Sequence, residues 1–333
     1  MSTAPAHVVG FGSLNLDEFW EVPLQFFRDH GIRIGHEYVR GVDWFMAFYP
    51  KLNETGVFRG ADPGGSAANM IAALRQMGFH TGFIGSTGQT DADLLRLHEL
   101  GAPSNLRIMQ SNLPAGRCLS LICSEDPDKD RALLILPNAN DLAASIELEP
   151  DFIPGFQWMH MTSFVSRNPL ERQAKLVLDF AGRIRISFDP GPLYCGLGIQ
   201  ALKSILQRTE ILFVSEEELL TLTERHSVES GVEDLLELGT KLIVVKKGAR
   251  GITAFSLGWS SHQPAHKPER IVDRTGAGDV GAAGFLAGQI MGLPLEECLE
   301  LAVMAAAKSL GGYGRRAYPD ISFVQTFGRR NEL

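Results

Sequence analysis

The sequence predicts a doubly wound α/β fold, a mostly parallel sheet flanked by helices. Three observations carry this. Short, almost continuously apolar runs at Val8–Gly12, Thr81–Gly85, Trp158–Ser163, Ile184–Asp189, Ile211–Ser215 and Leu242–Lys246 read as strands covered on both faces. Helical patterns near 66–77, 168–182, 197–207, 216–225 and 231–238 lie between them, which makes βαβ units with right-handed crossovers. Two late helical runs, about 277–291 and 295–310, are split by Gly292-Leu293-Pro294, with Pro294 placed to start the second.

Two stretches break the alternation. Residues 18–61 are aromatic and irregular, with Trp20, Phe26, Phe27, Trp44, Phe45, Phe48 and Tyr49, residue types that mostly pack against one another. Residues 115–137 hold two strand-like runs, Gly116–Ser124 and Arg131–Pro137. Between them Glu125-Asp126-Pro127-Asp128-Lys129-Asp130 reads as a hairpin turn. The whole of 1–333 reads as a single domain.

Composition narrows the function. The chain has 333 residues and a net charge of −8 from 31 basic and 39 acidic side chains. That balance argues against nucleic-acid binding, which asks for a basic face. Cys118, Cys123, Cys195 and Cys298 show no metal or redox spacing, which suits reduced thiols in the cytoplasm. No apolar run approaches the ~20 residues of a membrane span, and Met1 to His7 lack a secretory pattern.

Two motifs carry chemistry. In Asp273-Arg274-Thr275-Gly276-Ala277-Gly278-Asp279, small residues let the backbone approach a ligand just where a helix begins. Free N–H groups and the positive helix end there suit a phosphate. Asp279 beside an anion site makes sense as a base that takes a proton from an attacking hydroxyl while the amides of Gly276, Ala277 and Gly278 hold the transferring group. A plain helix cap fits the same turn. In Asp62-Pro63-Gly64-Gly65-Ser66-Ala67-Ala68-Asn69, Pro63-Gly64-Gly65 is a turn, Ser66 an N-cap, and Gly78 a helix stop. Gly64 and Gly65 leave their peptide planes open to a ligand, and Asn69 can both donate to and accept from a hydroxyl.

In this order and spacing the two motifs resemble the signatures of the PfkB, or ribokinase-like, family of carbohydrate and nucleoside kinases. Phe27-Arg28-Asp29-His30-Gly31-Ile32-Arg33-Ile34-Gly35 resembles its adenosine-kinase-like branch. The resemblance implies a ribokinase-like fold in which segments 18–61 and 115–137 form a small β lid. It places Asp17 at the end of the first strand as a sugar-binding carboxylate, joined by Gly64, Gly65 and Asn69. It implies ATP, with Lys247, Gly248 and Gly251 beside the nucleotide and Gly311, Gly312 and Gly314 on the adenine side. It further implies Mg²⁺ near Glu218 and K⁺ near Asp273 and Thr275. The chain departs from the family at Arg274, Val280-Gly281, Ser215 and the short Gly88-Gln89-Thr90-Asp91 stretch.

The expected activity is ATP-dependent phosphorylation of a hydroxymethyl group on a sugar or nucleoside, with Asp279 as base. Ribose, fructose, a keto-deoxy sugar acid and adenosine stay open as acceptors, with Arg40, Arg59 and Arg131 able to meet a charged one. A homodimer through the lid is an open option. Two rivals remain. A sugar or nucleoside sensor could use the same fold without catalysis. A Rossmann oxidoreductase would use Gly10-Phe11-Gly12-Ser13-Leu14-Asn15, but Asn15 stands where the third glycine belongs.

Overall fold

Strand side chains alternate between faces, so a strand with helices on both sides must be apolar throughout. The large sheet obeys this. Val8, Ile211, Phe213 and Val244 enter one core, while Val9, Phe11, Leu212, Val214, Ile243 and Val245 enter another on the opposite face. The computed structural model describes residues 6–89, 95–126 and 130–330. The tip of the expected hairpin turn, 127–129, and the loop residues Thr90 and Asp91 lie outside them.

The chain runs β1 (Ala6–Phe11), β2 (Asn15–Val22), α1 (Leu24–Asp29), β3 (Glu37–Val39), α2 (Val42–Thr55), β4 (Val57–Gly64), α3 (Ser66–Gln76), β5 (Thr81–Gly88), β6 (Leu106–Ser111), β7 (Gly116–Cys123) and β8 (Arg131–Leu136). It continues with β9 (Phe156–Thr162), α4 (Arg167–Asp179), β10 (Arg185–Asp189), α5 (Gly191–Cys195), α6 (Gly198–Leu206), β11 (Thr209–Ser215), α7 (Glu216–Thr223), α8 (Val228–Leu238) and β12 (Leu242–Lys246). Last come β13 (Ile252–Ser256), β14 (Trp259–Gln263), α9 (Ala277–Met291), α10 (Leu295–Ser309) and α11 (Ile321–Arg330).

The large sheet has the order β14-β13-β12-β11-β10-β9-β1-β5-β6. It is parallel except where β13 pairs antiparallel with β12 and β14. This is the ribokinase-like α/β architecture. From β1 the winding proceeds to β5 on one side and to β9 on the other. Ligands of open parallel sheets bind at such a reversal, beyond the carboxyl ends of the strands. Ser13 follows β1 there, and Ser163 and Phe164 follow β9.

The second sheet has five strands in the order β3-β8-β7-β2-β4, drawn from residues 15–64 and 116–136. It begins earlier than expected, at Asn15, and takes in Asp62 to Gly64. Asp17 therefore sits inside β2 of the small sheet and not at the end of the first strand, because β1 stops at Phe11. The aromatic stretch also contains a helix, α2, that irregular spacing concealed. Trp20, Phe26, Phe27 and Phe48 form a core of their own under this sheet, with Trp44, Phe45 and Tyr49 packed against it. Their role is packing.

The Gly10 and Gly12 pair is explained by packing as well. A Cβ on Gly10 would meet Ile71 at 2.6 Å, and one on Gly12 would meet Ala67 at 2.5 Å. Both glycines let α3 lie close against β1. A dinucleotide fingerprint needs a helix directly after the strand, whereas β1 leads into β2.

Candidate active site

At the carboxyl edge of the large sheet two cavities join. One, of about 260 Å³, lies under the small sheet and includes Asp17, Gly65, Asn69, Asp189, Glu218 and Asp279 in its lining. The other, of about 560 Å³, is walled by Phe213, Val244, Ile252, Phe285, Ala302 and Leu310. Arg131, Lys246 and Gly278 line both, so the cavities meet at the start of α9.

Gly276 caps α9 with φ 76°, a left-handed conformation open to glycine. A side chain there would crowd Tyr318 Oη at 3.0 Å and Asn69 Nδ2 at 3.2 Å. The Ala277 N–H already donates to Arg274 O at 3.2 Å, while those of Gly276 and Gly278 have no protein partner among the described residues. The expected anion hole thus rests on the two glycines more than on Ala277.

Asp279 opens the first turn of α9 and faces the junction. Ser66 Oγ donates to its Oδ1 at 2.6 Å and Asn69 Nδ2 to its Oδ2 at 3.0 Å. Burial pushes this carboxyl up to about 6; the two hydrogen bonds and Lys246 pull against that, and Asp189 adds to it. The two motifs, some two hundred residues apart in sequence, thus meet at one carboxylate. Ser66 is not the N-cap the sequence suggested. Gly65 occupies that position with φ 96°, which frees the Ser66 hydroxyl for Asp279.

Asp17 projects from β2 toward the smaller cavity and is only 5% exposed. Its Oδ1 has no hydrogen-bond partner among the described residues. Burial, with Asp273, Asp279 and Asp62 nearby, pushes its carboxyl up to about 8 against the pull of Arg315. An unsatisfied buried acceptor in a cavity needs an explanation, and a hydroxylated ligand supplies one. Gly64 serves this carboxylate: a Cβ would collide with Asp17. Gly65 lines the cavity and Gly64 does not, so only one of the two peptide planes is offered to a ligand.

Other expected positions divide. Gly248 and Gly251 line the larger cavity; Gly251 has φ 90°, and a Cβ there would strike Gln263 O. Lys247 lines neither cavity. It lies past the end of β12, with its N–H on Gly251 O at 2.8 Å and Nζ 3.8 Å from Glu216. Lys246 lines both cavities instead and forms an ion pair with Asp189 at 2.6 Å. Burial opposes its charge, but Asp189, with Glu218 and Asp279, holds Lys246 above the usual lysine range. Gly314 also lines neither cavity. Its φ of 55° and the closeness of Asp62 make it a packing glycine.

Glu218 reaches the smaller cavity from α7 while completing a capping box. Its Oε2 accepts the Ser215 N–H at 2.6 Å, and its own N–H donates to Ser215 Oγ at 3.1 Å. Serine in place of asparagine thus still anchors Glu218. Asp273 Oδ1 accepts from Thr275 N at 3.0 Å and Thr275 Oγ1 at 2.8 Å, while Oδ2 is buried without a partner among the described residues. Burial raises this carboxyl too. Among the described residues no group of three or more histidine, cysteine, aspartate or glutamate side chains could hold a metal alone.

The residues that motif reading passed over are Ser66, Lys246 and Asp189. The signal for Lys246 was present. On a strand of period two it shares a face with Val244, and both line the larger cavity. Of the three arginines able to meet a charged acceptor, Arg59 pairs with Glu21 at 2.5 Å and Arg40 lies over Tyr38 and Trp44. Arg131 alone of the three lines a cavity, and its Nε has no partner among the described residues.

The chain resembles known proteins over most of its length. The pfkB family carbohydrate kinase pattern matches residues 42–320. A cytidine kinase of Thermococcus kodakarensis is 31% identical over 258 residues, 76% of this chain and 89% of that protein. An uncharacterized sugar kinase of Archaeoglobus fulgidus is 30% identical over 251 residues, 73% and 96% of the two chains. The solved adenosine kinase of Sinorhizobium meliloti superposes with a TM-score of 0.82 at 20% identity, covering 99% of this chain and all of the other. With both signature motifs converging on one cleft, the chain belongs to the PfkB family of carbohydrate kinases.

Proposed function

We propose that the protein transfers the γ-phosphoryl group of ATP to a hydroxymethyl group of a nucleoside or sugar, with Asp279 as general base. The observation that carries this reading is the position of Asp279 where the two cavities meet, beside the unpartnered Gly276 and Gly278 amides. The apolar cavity takes the nucleotide, its phosphates directed to the start of α9. Asp17, Gly65 and Asn69 hold acceptor hydroxyls, and the raised carboxyl of Asp279 is basic enough to accept the proton that leaves. Arg131 and Lys246 bring positive charge to the transferring group. The small sheet closes over the acceptor and excludes water, which would otherwise take the phosphoryl group.

Mg²⁺ bound with the nucleotide supplies charge neutralisation at the phosphates. Glu218, a hard oxygen donor on the cavity wall, fits an ion that keeps waters and phosphate oxygens as its other ligands. The unpartnered Asp273 Oδ2, with Thr275 beside it, fits K⁺.

The acceptor cavity has two unlike sides. Asp17, Asn15, Ser13 and Asn69 are polar, whereas Leu133, Ile135, Val165 and Leu193 are apolar. Along β8 the alternation turns Arg131, Leu133 and Ile135 toward the cavity and Ala132, Leu134 and Leu136 inward. A ribose with a flat base uses both sides, while a free sugar leaves the apolar one idle. We therefore expect adenosine or cytidine to give at least tenfold higher kcat/KM than ribose, fructose or 2-keto-3-deoxygluconate in an ADP-release assay. Free sugars turning over as well as nucleosides would overturn the acceptor preference. Binding without ADP formation across the panel would favour the sensor. Equal rates in K⁺, Na⁺ and a bulky organic cation would remove the K⁺ site.

Exposed Val39, Val42, Met46, Val57 and Phe58 all belong to the small sheet and α2. A second copy of the chain is the partner we propose, since pairing there would hide apolar surface. The expected result is a dimer in sedimentation equilibrium, broken by Phe58→Glu. A wild-type monomer at micromolar concentration would rule this out. No helix among the described residues is long and apolar enough to cross a membrane.

A further inference from the structure

Beside Asp17 lies a buried charge cluster whose other members, Asp62 and Arg315, the phosphoryl-transfer scheme does not use. Asp17 on β2 is paired in register with Asp62 on β4. Residues directly opposite on antiparallel strands point to one face, and like charges so placed repel. Both are almost fully buried. Asp62 is compensated locally: Arg96 Nη2 donates to its Oδ1 at 2.7 Å and the Arg315 N–H to its Oδ2 at 2.6 Å. Asp17 receives no hydrogen bond at Oδ1 from the described residues.

Arg315 is only 3% exposed. Its Nη1 reaches Glu99 at 3.1 Å, but its Nε and Nη2 have no partners among the described residues. A buried guanidinium with two idle donors is costly. Its backbone is fixed to the residue facing Asp17, and Tyr318, three residues on, touches the Gly276 turn. Arg315 and Asp17 are thus linked through Asp62, which faces Asp17 in register and holds the Arg315 N–H.

We infer that Arg315 is a positioning residue for Asp17: it supplies the positive charge against which Asp17 becomes a carboxylate able to receive the acceptor's hydroxyl hydrogens. This rests on the reading of Asp17 as an acceptor-binding group. In the free protein Asp17 faces Asp273 before α9, Asp279 on α9, Asp62 on β4 and Cys118 on β7, and Arg315 is the cation opposing them. When an acceptor binds, Asp17 releases its proton to solvent. The vacated oxygens take hydroxyl hydrogens from one side and the Arg315 charge from the other. Acceptor affinity therefore rises with pH toward 8.

The test is a carboxyl-carbon NMR titration of the full chain labelled at aspartate, with the Asp17 signal identified by its loss in Asp17→Asn. In Arg315→Gln the Asp17 midpoint should rise by about one unit or more, the scale of losing a close opposite charge. Arg315→Lys should hold it near the wild-type value, which separates charge from shape. Glu99→Gln leaves the arginine in place and removes the carboxylate that neutralises it, so the midpoint should fall; this variant serves if Arg315→Gln does not fold. A midpoint unmoved in a folded Arg315→Gln, or in Glu99→Gln where that is the variant used, overturns the inference. KM for adenosine and for ribose is measured on the same proteins. An unchanged KM in Asp17→Asn would sink the acceptor-site reading while leaving the Arg315 titration to be judged separately.

Discussion

Asp279→Asn should lower kcat by about 10²–10⁴, the usual cost of losing a general base, with little change in KM. An amide keeps the size of the side chain and can still accept from Ser66, so the cleft keeps its shape. The proton of the attacking hydroxyl then has no acceptor at the place where the cavities meet. In the wild type, kcat should fall as pH drops through about 6, where the carboxyl takes up a proton. Ser66→Ala removes a hydrogen bond that favours the carboxylate. Its acid limb should therefore move to higher pH, which a helix-capping role for Asp279 would not produce. Steady-state rates from pH 5 to 8 check both, and near-normal turnover in Asp279→Asn with the correct acceptor would end the assignment.

Asp17→Asn should act in two opposite directions. Acceptor KM should rise by about 10² or more, because two hydrogen bonds to a charged group contribute about 1.5–3 kcal/mol each. Thermal stability should rise. The folded protein holds this carboxyl at about 8 against an unfolded value near 3.8, so the native state keeps a proton that the unfolded chain sheds. Stability linked to this group is fully present below about pH 4 and is lost as pH climbs through 8. Asparagine imitates the neutral acid and escapes that loss. The difference in Tm between variant and wild type should therefore grow from pH 5 to 8. A pH-independent difference, or a less stable variant, would show that Asp17 is not held protonated. A binding group kept at a cost to the fold is the expected form of a functional residue.

Comparison of particular residues shows where sequence reading stops. The glycine turn at Gly276 and the helix start that carries Asp279 were legible because turn chemistry is local, whereas the partners of Asp279 lie about two hundred positions away. Gly251 was legible for the same reason. Asp17 was set at the end of the first strand, but Gly12-Ser13-Leu14 part β1 from β2 and carry the chain into the second sheet. Lys247 was preferred over Lys246 because motif reading stopped at the glycine turn, whereas strand alternation decides which lysine faces the cleft. Gly314 was assigned by its glycine-rich company, but what makes it a glycine is Asp62, some 250 positions earlier in the chain.

The sequence by itself determined the architecture and the glycine turn that opens α9 with a carboxylate beside it. These follow from periodicity and from backbone freedom at small residues, both readable within a dozen positions. Tertiary structure alone decided that Ser66 and Asn69 hold Asp279, that Lys246 is tied to Asp189, and that Asp17 stands opposite Asp62 with Arg315 behind it. The protonation of a buried acid depends on which charges surround it in space. That arrangement is set by strand register and helix packing between distant segments, and no local stretch of sequence contains it.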